Sequence, residues 1–329
     1  MMELEKHFRD ILNKDKGGIT RTLVWGPTGI GKTSLIRQLG EEMGLPIILW
    51  DIPMFKLALG ERIEQLLDST EEVAAFLKEF FGHANLLDYG GREKIVLVDR
   101  FHYLEPEWQL FFYYIVSSGI LEENILFGNH HLVVLGSEPM SFTDVDVFHS
   151  IHPAVLDIFD NLFFVYPDIR SWKRWAYLND ISPIVISFLN LRPDLLFVPP
   201  EECEARLHLP TPGAWELVSK VIHLSYLHKI PLTDPMVWTK ICDIVGYPTA
   251  VEFYAFLSKL GLPKVSKGIK EDCWEDKMSR YYYYYLISHL VSQMRRSEVD
   301  RSAFERIEAK LPDDLRELLR EDARLAGVF

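Results

Sequence analysis

Gly26, Gly31, Lys32 and Thr33 lie in the stretch VWGPTGIGKTSLIRQLG and fit the spacing G-x-x-x-x-G-K-[ST]. Glycines at such positions permit backbone angles that turn several N–H groups toward one point, and a helix N-terminus behind them adds partial positive charge. That combination cradles phosphate. Lys32 is expected to reach the β- and γ-phosphates of a nucleotide, and the Thr33 hydroxyl to ligate magnesium. Gly26, Pro27, Thr28, Gly29, Ile30, Gly31, Lys32, Thr33 and Ser34 form the candidate phosphate-binding set.

A second element has to supply an acid. The apolar run KIVLV ends in Asp99, where a carboxylate can hold the hydration shell of a magnesium ion bound near Thr33. Thr33 and Asp99 are therefore the candidate metal-side residues, and ATP with Mg the expected cofactors.

The elements that must position these residues alternate along the chain. TRTLVWG, LPIILWDI, KIVLVD, HLVVLG and LFFVYP read as apolar strands. Helices are expected from Lys32 to Met43, from Glu61 to Phe81 and from Glu107 to Ser117, with a short amphipathic one from Glu3 to Leu12. Buried strands separated by helices predict an α/β fold, a P-loop NTPase parallel sheet sandwiched by helices. After Pro167 the strands stop, and proline-punctuated helices follow to about Leu262. LPKVSKGIKEDC reads as a linker, and two or three helices close the chain. The predicted partition is 1–18 an N-terminal helix, 19–167 the nucleotide-binding domain, 168–262 an α-helical lid and 263–329 a helical extension.

Composition sets the outer bounds. The 329 residues carry a net charge of −13, 48% hydrophobic and 25% charged side chains. These are the values of a globular chain, long enough for two domains. The acidic balance argues against sequence-blind binding to DNA or anionic lipid, and leaves room for a local basic groove. No apolar run approaches the ~18 residues that span a bilayer. Cys203, Cys242 and Cys273 are widely spaced, as free thiols in a reducing compartment would be, and a cytoplasmic location is expected.

At these motifs the chain resembles AAA+ ATPases, and among them the MoxR-like group, from about Thr22 to Leu262. GPTGIGKTSLIRQLGEEMGLPI resembles that group's P-loop segment, and VDRFHYLEPEWQLFFYYIVSSG its second motif with the helix that follows. VVLGSEP stands where the group has its sensor-1 strand. PDIRSWKRWA, PIVISFLNLRPDLLF, TPGAWELVSKVI and VGYPTAVEFYAFL resemble its helical lid. The resemblance implies an oligomeric, nucleotide-driven remodelling or chaperone-type protein. Its partners would be a protein client or other ring subunits, with a von Willebrand factor A-domain protein as one candidate.

The departures bear on catalysis. The group places Glu after the second-motif Asp as the base that activates water; here that place holds Arg100, which cannot accept a proton. Ser137 replaces the sensor-1 Asn, and Gly213 stands where the sensor-2 arginine is expected. The segment before the last sheet strand offers Asp157, Asp160 and Asn161 in place of an arginine. Asp99, Ser137 and Glu105 are the remaining catalytic candidates, Glu105 or Glu107 being substitutes for the base. Arg100, Arg170 and Arg192 are substitutes for the finger. Hydrolysis is thus expected to be weak or partner-dependent. Two other readings stay open, a non-hydrolysing structural or regulatory subunit and a nucleic-acid remodeller such as a helicase loader.

Three further features have simpler readings. His102, His130, His131 and His152 lack helical metal-ligand spacing and are expected at the surface or a strand edge. Tyr281 to Tyr285 cover every face of a helix, which suits a core helix or a partner contact. The charged stretch DRSAFERIEAKLPDDLRELLRED reads as a solvated amphipathic tail.

Overall fold

Leu23–Trp25, Ile95–Val98 and Leu132–Leu135 are apolar at successive positions, so strands built from them need cover on both faces. The computed structural model describes residues 5–6, 8–10, 19–60, 69–82, 93–120, 129–137, 149–199, 208–260 and 279–329, with backbone only at 59, 81 and 82. It divides into two compact units, Met1–Tyr166 and Pro167–Phe329. Residues 61–68 of one expected helix, the expected linker, Glu138, Pro139, Cys203 and Cys273 fall outside the described residues.

The first unit contains β1 (Ile19–Trp25), α1 (Lys32–Met43), β2 (Ile47–Asp51), α2 (Ile52–Leu59), α3 (Thr70–Gly82) and β3 (Lys94–Asp99). A 3-10 turn at Phe101–Tyr103, α4 (Pro106–Ser117), β4 (His130–Gly136), the single turn α5 (Pro153–Leu156) and β5 (Asn161–Phe164) complete it. The sheet order is β2-β3-β4-β1-β5, and every pairing among the described residues is parallel. Parallel neighbours require crossover connections, which the intervening helices provide. All strands therefore end at the same sheet edge, with Asp51 in register with Asp99 and Trp25 with Gly136.

Strand alternation feeds two cores, one on each face. Leu23, Val96, Val98, Leu132 and Val134 pack with Phe55, Phe76, Phe112 and Ile115. The intervening residues Val24, Ile95, Leu97, Val133 and Leu135 pack with Ile36, Leu39 and Phe8. This is the predicted parallel sheet sandwiched by helices. The histidines of β4 correct the sequence expectation: His130 and His131 are buried in the central strand. His131 bonds the Thr20 hydroxyl at 2.7 Å and Glu93 at 3.0 Å, so its polarity is met inside the sheet.

The second unit contains α6 (Ile169–Leu178), α7 (Pro183–Leu191), α8 (Pro212–Leu227), α9 (Pro235–Val245), α10 (Tyr247–Lys259), α11 (Arg280–Arg295), α12 (Arg301–Lys310) and α13 (Asp313–Leu325). Pro183, Pro212 and Pro235 open helices, where a missing N–H costs nothing. Asp168, Thr211, Asp234 and Asp300 accept first-turn N–H groups as N-caps. A single core runs from Trp172 to Ala326 and takes in residues of all eight helices. Tyr282 and Tyr285 are buried, and Tyr281, Tyr283 and Tyr284 are half-buried against that same core. Leu315, Leu319 and Ala323 of the charged tail are buried in it too.

Candidate nucleotide site

The loop from β1 to α1 carries two backbone positions that suit glycine. Gly29 and Gly31 have φ of 78° and 93°, and Gly31 is the N-cap of α1. A side chain at Gly26 would fail for a different reason: its Cβ would lie 2.1 Å from the Val165 carbonyl oxygen. The first N–H groups of α1 have no intrahelical partner and carry the positive end of the helix dipole, so the loop suits an anion.

Lys32 is buried at the base of the loop. Its Nζ donates to the Gly26 and Pro27 carbonyls at 2.7 Å each and to the Ser137 hydroxyl at 2.9 Å. Ser137, directly after β4, thus touches the lysine expected to hold phosphate. The Thr33 hydroxyl donates to Asp99 Oδ2 at 2.9 Å, and the Arg100 N–H donates to Asp99 Oδ1 at 2.9 Å. One hydroxyl and one carboxylate beside a phosphate cradle fit a magnesium ion, which usually keeps several waters and takes its other ligands from the nucleotide. Among the described residues no group of three or more His, Cys, Asp or Glu gathers as a self-sufficient metal site.

The place of the expected base is occupied by Arg100 in the left-handed backbone region, φ 63°, ψ 37°. A non-glycine residue pays about 1–2 kcal/mol for that conformation. Its guanidinium pairs with Asp51, whose other oxygen accepts the Met54 N–H at 3.2 Å and caps α2. Asp51 was not among the residues picked from sequence. The only local sign was an Asp ending a strand two residues before Pro53, which is a helix-cap signature.

Glu105 is engaged as well. Lys56 Nζ donates to Glu105 Oε1 at 2.5 Å and to the Tyr103 carbonyl at 3.0 Å. Burial pushes the Glu105 carboxyl up, but its hydrogen bond from Lys56 and the cationic charge outweigh this and leave it below the ordinary carboxylate range. A paired carboxylate of lowered basicity is a poor base for water. Gln109 is fully buried and fastens the neighbouring loop, donating to the Leu104 and Ser150 carbonyls at 2.9 and 3.0 Å and accepting the His152 N–H at 2.6 Å. His102 is buried between charges. Burial, then the Lys32 and Arg100 cations, push its pKa down to about 3.

The other sequence-picked residues lie elsewhere. Asp160 Oδ2 accepts the Arg21 N–H at 2.9 Å, where β5 begins beside β1. In the second unit, Arg170 pairs with Glu321 at 2.7 Å, and Arg192 pairs with Asp194 and Glu252 at 2.8 and 3.1 Å. Gly213 sits in the first turn of α8.

Residues 22–108 match the family described as ATPase family associated with various cellular activities (AAA). A 78-residue segment is 38% identical to the replication factor C large subunit of Pyrobaculum calidifontis, covering 24% of this chain and 15% of that protein's length. Similar solved structures include Cdc6p from Pyrobaculum aerophilum, with a TM-score of 0.46, 14% identity and coverage of 99% and 93% of the two chains. AMPPCP-bound DnaA from Aquifex aeolicus follows at 0.41, 14% identity, 98% and 92%. The Thermotoga maritima RuvB Holliday junction branch migration motor gives 0.35, 13% identity, 94% and 74%. The segment matched to that family spans the phosphate loop, Asp99 and the start of α4, all within the first unit.

Proposed function

We propose that this chain binds ATP with magnesium and works as an AAA+ remodelling or chaperone-type protein whose hydrolysis is weak or depends on a partner. One observation carries the reading: Lys32 and the Thr33–Asp99 pair form a complete phosphate and magnesium side, while Arg100, held by Asp51, fills the place of the base. Bound magnesium would supply charge neutralisation at the phosphates. The chain's own residues then bind and orient, and none of those described beside Asp99 is a free carboxylate poised to take a proton from water. An absent base typically costs about 10²–10⁴ in rate.

The MoxR-like assignment, the lid at 168–262, the ring and a von Willebrand factor A-domain partner rest on the sequence resemblance, and the extension at 263–329 on the linker-like stretch LPKVSKGIKEDC before the last helices. Asp157 and Asp160 near the last strand would set acid close to a neighbour's triphosphate in a homo-ring, which favours a monomer or a mixed ring in which another chain donates the arginine. A cytoplasmic location rests on the scattered cysteines; among the described residues no helix is long and apolar enough to cross a membrane.

The test is calorimetry with ATP and magnesium on the chain and on Lys32→Ala, followed by phosphate release. Tight binding lost in the variant, with turnover far below the ~10 s⁻¹ enzyme median, is the expected result. Equal affinity in the two proteins would reject the binding site. Rapid turnover by the chain alone would reject the account of Arg100.

The segment shared with the replication factor C large subunit favours a second reading, a nucleic-acid remodeller. DNA binding that weakens steeply with salt would support it, against the acidic net charge.

A further inference from the structure

We propose that Arg100 is the residue that tells a nucleoside triphosphate from a diphosphate, and that Asp51 is its resting counter-ion. The inference rests on the nucleotide-binding reading of the same site.

Three observations point there. Arg100 follows Asp99 directly, and its own N–H holds Asp99 Oδ1, so its backbone is anchored to the magnesium-side acid. Its left-handed conformation is found at only four non-glycine residues among those described, and the other three all lie in the second unit. Finally, Asp51 and Asp99 are register partners on adjacent strands, so the guanidinium spans from the Asp99 position to the strand beside it.

The side chain is half-exposed, and its partner Asp51 is also engaged with the Met54 N–H. Thr33, next to Lys32, donates to Asp99 Oδ2 while the Arg100 N–H donates to Oδ1, which brings the phosphate loop and the arginine to one carboxylate. A terminal phosphate held by Lys32 and magnesium brings a third anion into that space. Arginine forms two parallel bonds to phosphate as readily as to carboxylate, so the guanidinium can pass from Asp51 to the γ-phosphate without becoming unpaired. Asp51 keeps its cap bond when this happens. A diphosphate offers no group at that position, and Arg100 stays on Asp51. The arginine in the base position then reads the nucleotide's state without hydrolysing it.

The experiment compares the affinity of a non-hydrolysable ATP analogue with that of ADP, both with magnesium, by calorimetry on the full chain. In Arg100→Ala the analogue should bind about tenfold more weakly while ADP affinity changes less than twofold. In Asp51→Asn, where asparagine still caps α2, the competing charge is gone and the analogue-to-ADP preference should rise severalfold. An unchanged preference in Arg100→Ala overturns the proposal, as does an unchanged or reduced preference in Asp51→Asn. ADP affinity on the same samples reports the phosphate loop itself. Tight ADP binding with an unaltered preference sinks the exchange alone, whereas no binding of either nucleotide by the unsubstituted chain sinks the nucleotide reading and the exchange with it.

Discussion

Thr33 and Asp99, 66 residues apart in the chain, meet through a 2.9 Å hydrogen bond from the threonine hydroxyl to Oδ2. Each is poised at the end of a different element, Thr33 in the first turn of α1 and Asp99 at the end of β3. If they share a magnesium ion, removing either should weaken nucleotide binding in the presence of magnesium and leave the magnesium-free affinity nearly as it was. Asp99→Asn and Thr33→Val are expected to lose roughly tenfold or more of the magnesium-dependent part, and Thr33→Ser very little. Titrations with magnesium and with a chelator read the difference. An undiminished magnesium effect in Asp99→Asn would place the ion elsewhere.

That meeting was legible because both residues sit in contiguous patterns, a glycine-rich loop after a strand and an acid closing an apolar strand. The pairings of the residues that follow Asp99 were not. Asp51 holds Arg100 and Lys56 holds Glu105 because β2 lies beside β3, and strand order is written in no local stretch. His130 and His131 were misplaced for the same reason: their polarity suggested an edge, yet β4 lies between β3 and β1, and Thr20 and Glu93 satisfy His131 from neighbouring elements. The tyrosine run left two readings open, since five adjacent residues span a whole turn. Its outcome depended on how many helices surround α11.

His102 should make stability depend on pH. Its folded pKa is pushed down to about 3, by burial first and then by the Lys32 and Arg100 charges, from an ordinary value of 6.5. Between those values the unfolded chain binds a proton that the folded chain excludes. Stability is therefore full above about pH 6.5 and falls as pH drops toward 3, by up to roughly 1.4 kcal/mol per unit. Urea unfolding across pH 4.5–7.5 should show a shallower slope for His102→Gln than for the unsubstituted chain. Parallel slopes would mean that His102 takes up its proton equally in the folded and unfolded chains, contrary to its burial.

Gly136 is required by a close approach. A Cβ there would fall 1.9 Å from two atoms of the Trp25 ring, which is itself buried in the neighbouring strand. Gly136→Ala must displace a rigid indole or part the strands, a cost of about 1–3 kcal/mol. A melting temperature several degrees lower is expected, and Trp25→Leu in the same chain should restore part of it. Because Ser137 follows immediately and bonds Lys32, the alanine variant should also weaken nucleotide binding. Unaltered stability would show that the ring moves freely.

The second unit depends on a buried ion pair. Asp322 of α13 is fully buried and accepts Lys173 Nζ at 2.6 Å, the Tyr177 hydroxyl at 2.6 Å and Asn190 Nδ2 at 2.9 Å. Burial and then the Asp322 charge push the Tyr177 hydroxyl well above its ordinary pKa, so it stays protonated and keeps donating. Asn190 also accepts from Lys173 at 3.1 Å and reaches Ser288 at 3.3 Å, so α6, α7, α11 and α13 share one polar network. Desolvating two charges is expensive, and the pair gains little over an apolar replacement of equal volume; leaving one charge alone is what costs. Asp322→Leu strands the Lys173 ammonium and Lys173→Met strands the carboxylate, so each should destabilise the second unit by about 3–5 kcal/mol. The double variant should lose much less than the sum, though not nothing, because Tyr177 and Asn190 each give up a partner. Urea unfolding followed by the fluorescence of the unit's tryptophans gives the cycle. Strict additivity would mean that the charges are screened by water, contrary to their burial. Deleting α13 removes the carboxylate that satisfies Lys173 of the unit's first helix together with Leu315, Leu319 and Ala323 of the core, so the second unit is expected not to fold without it.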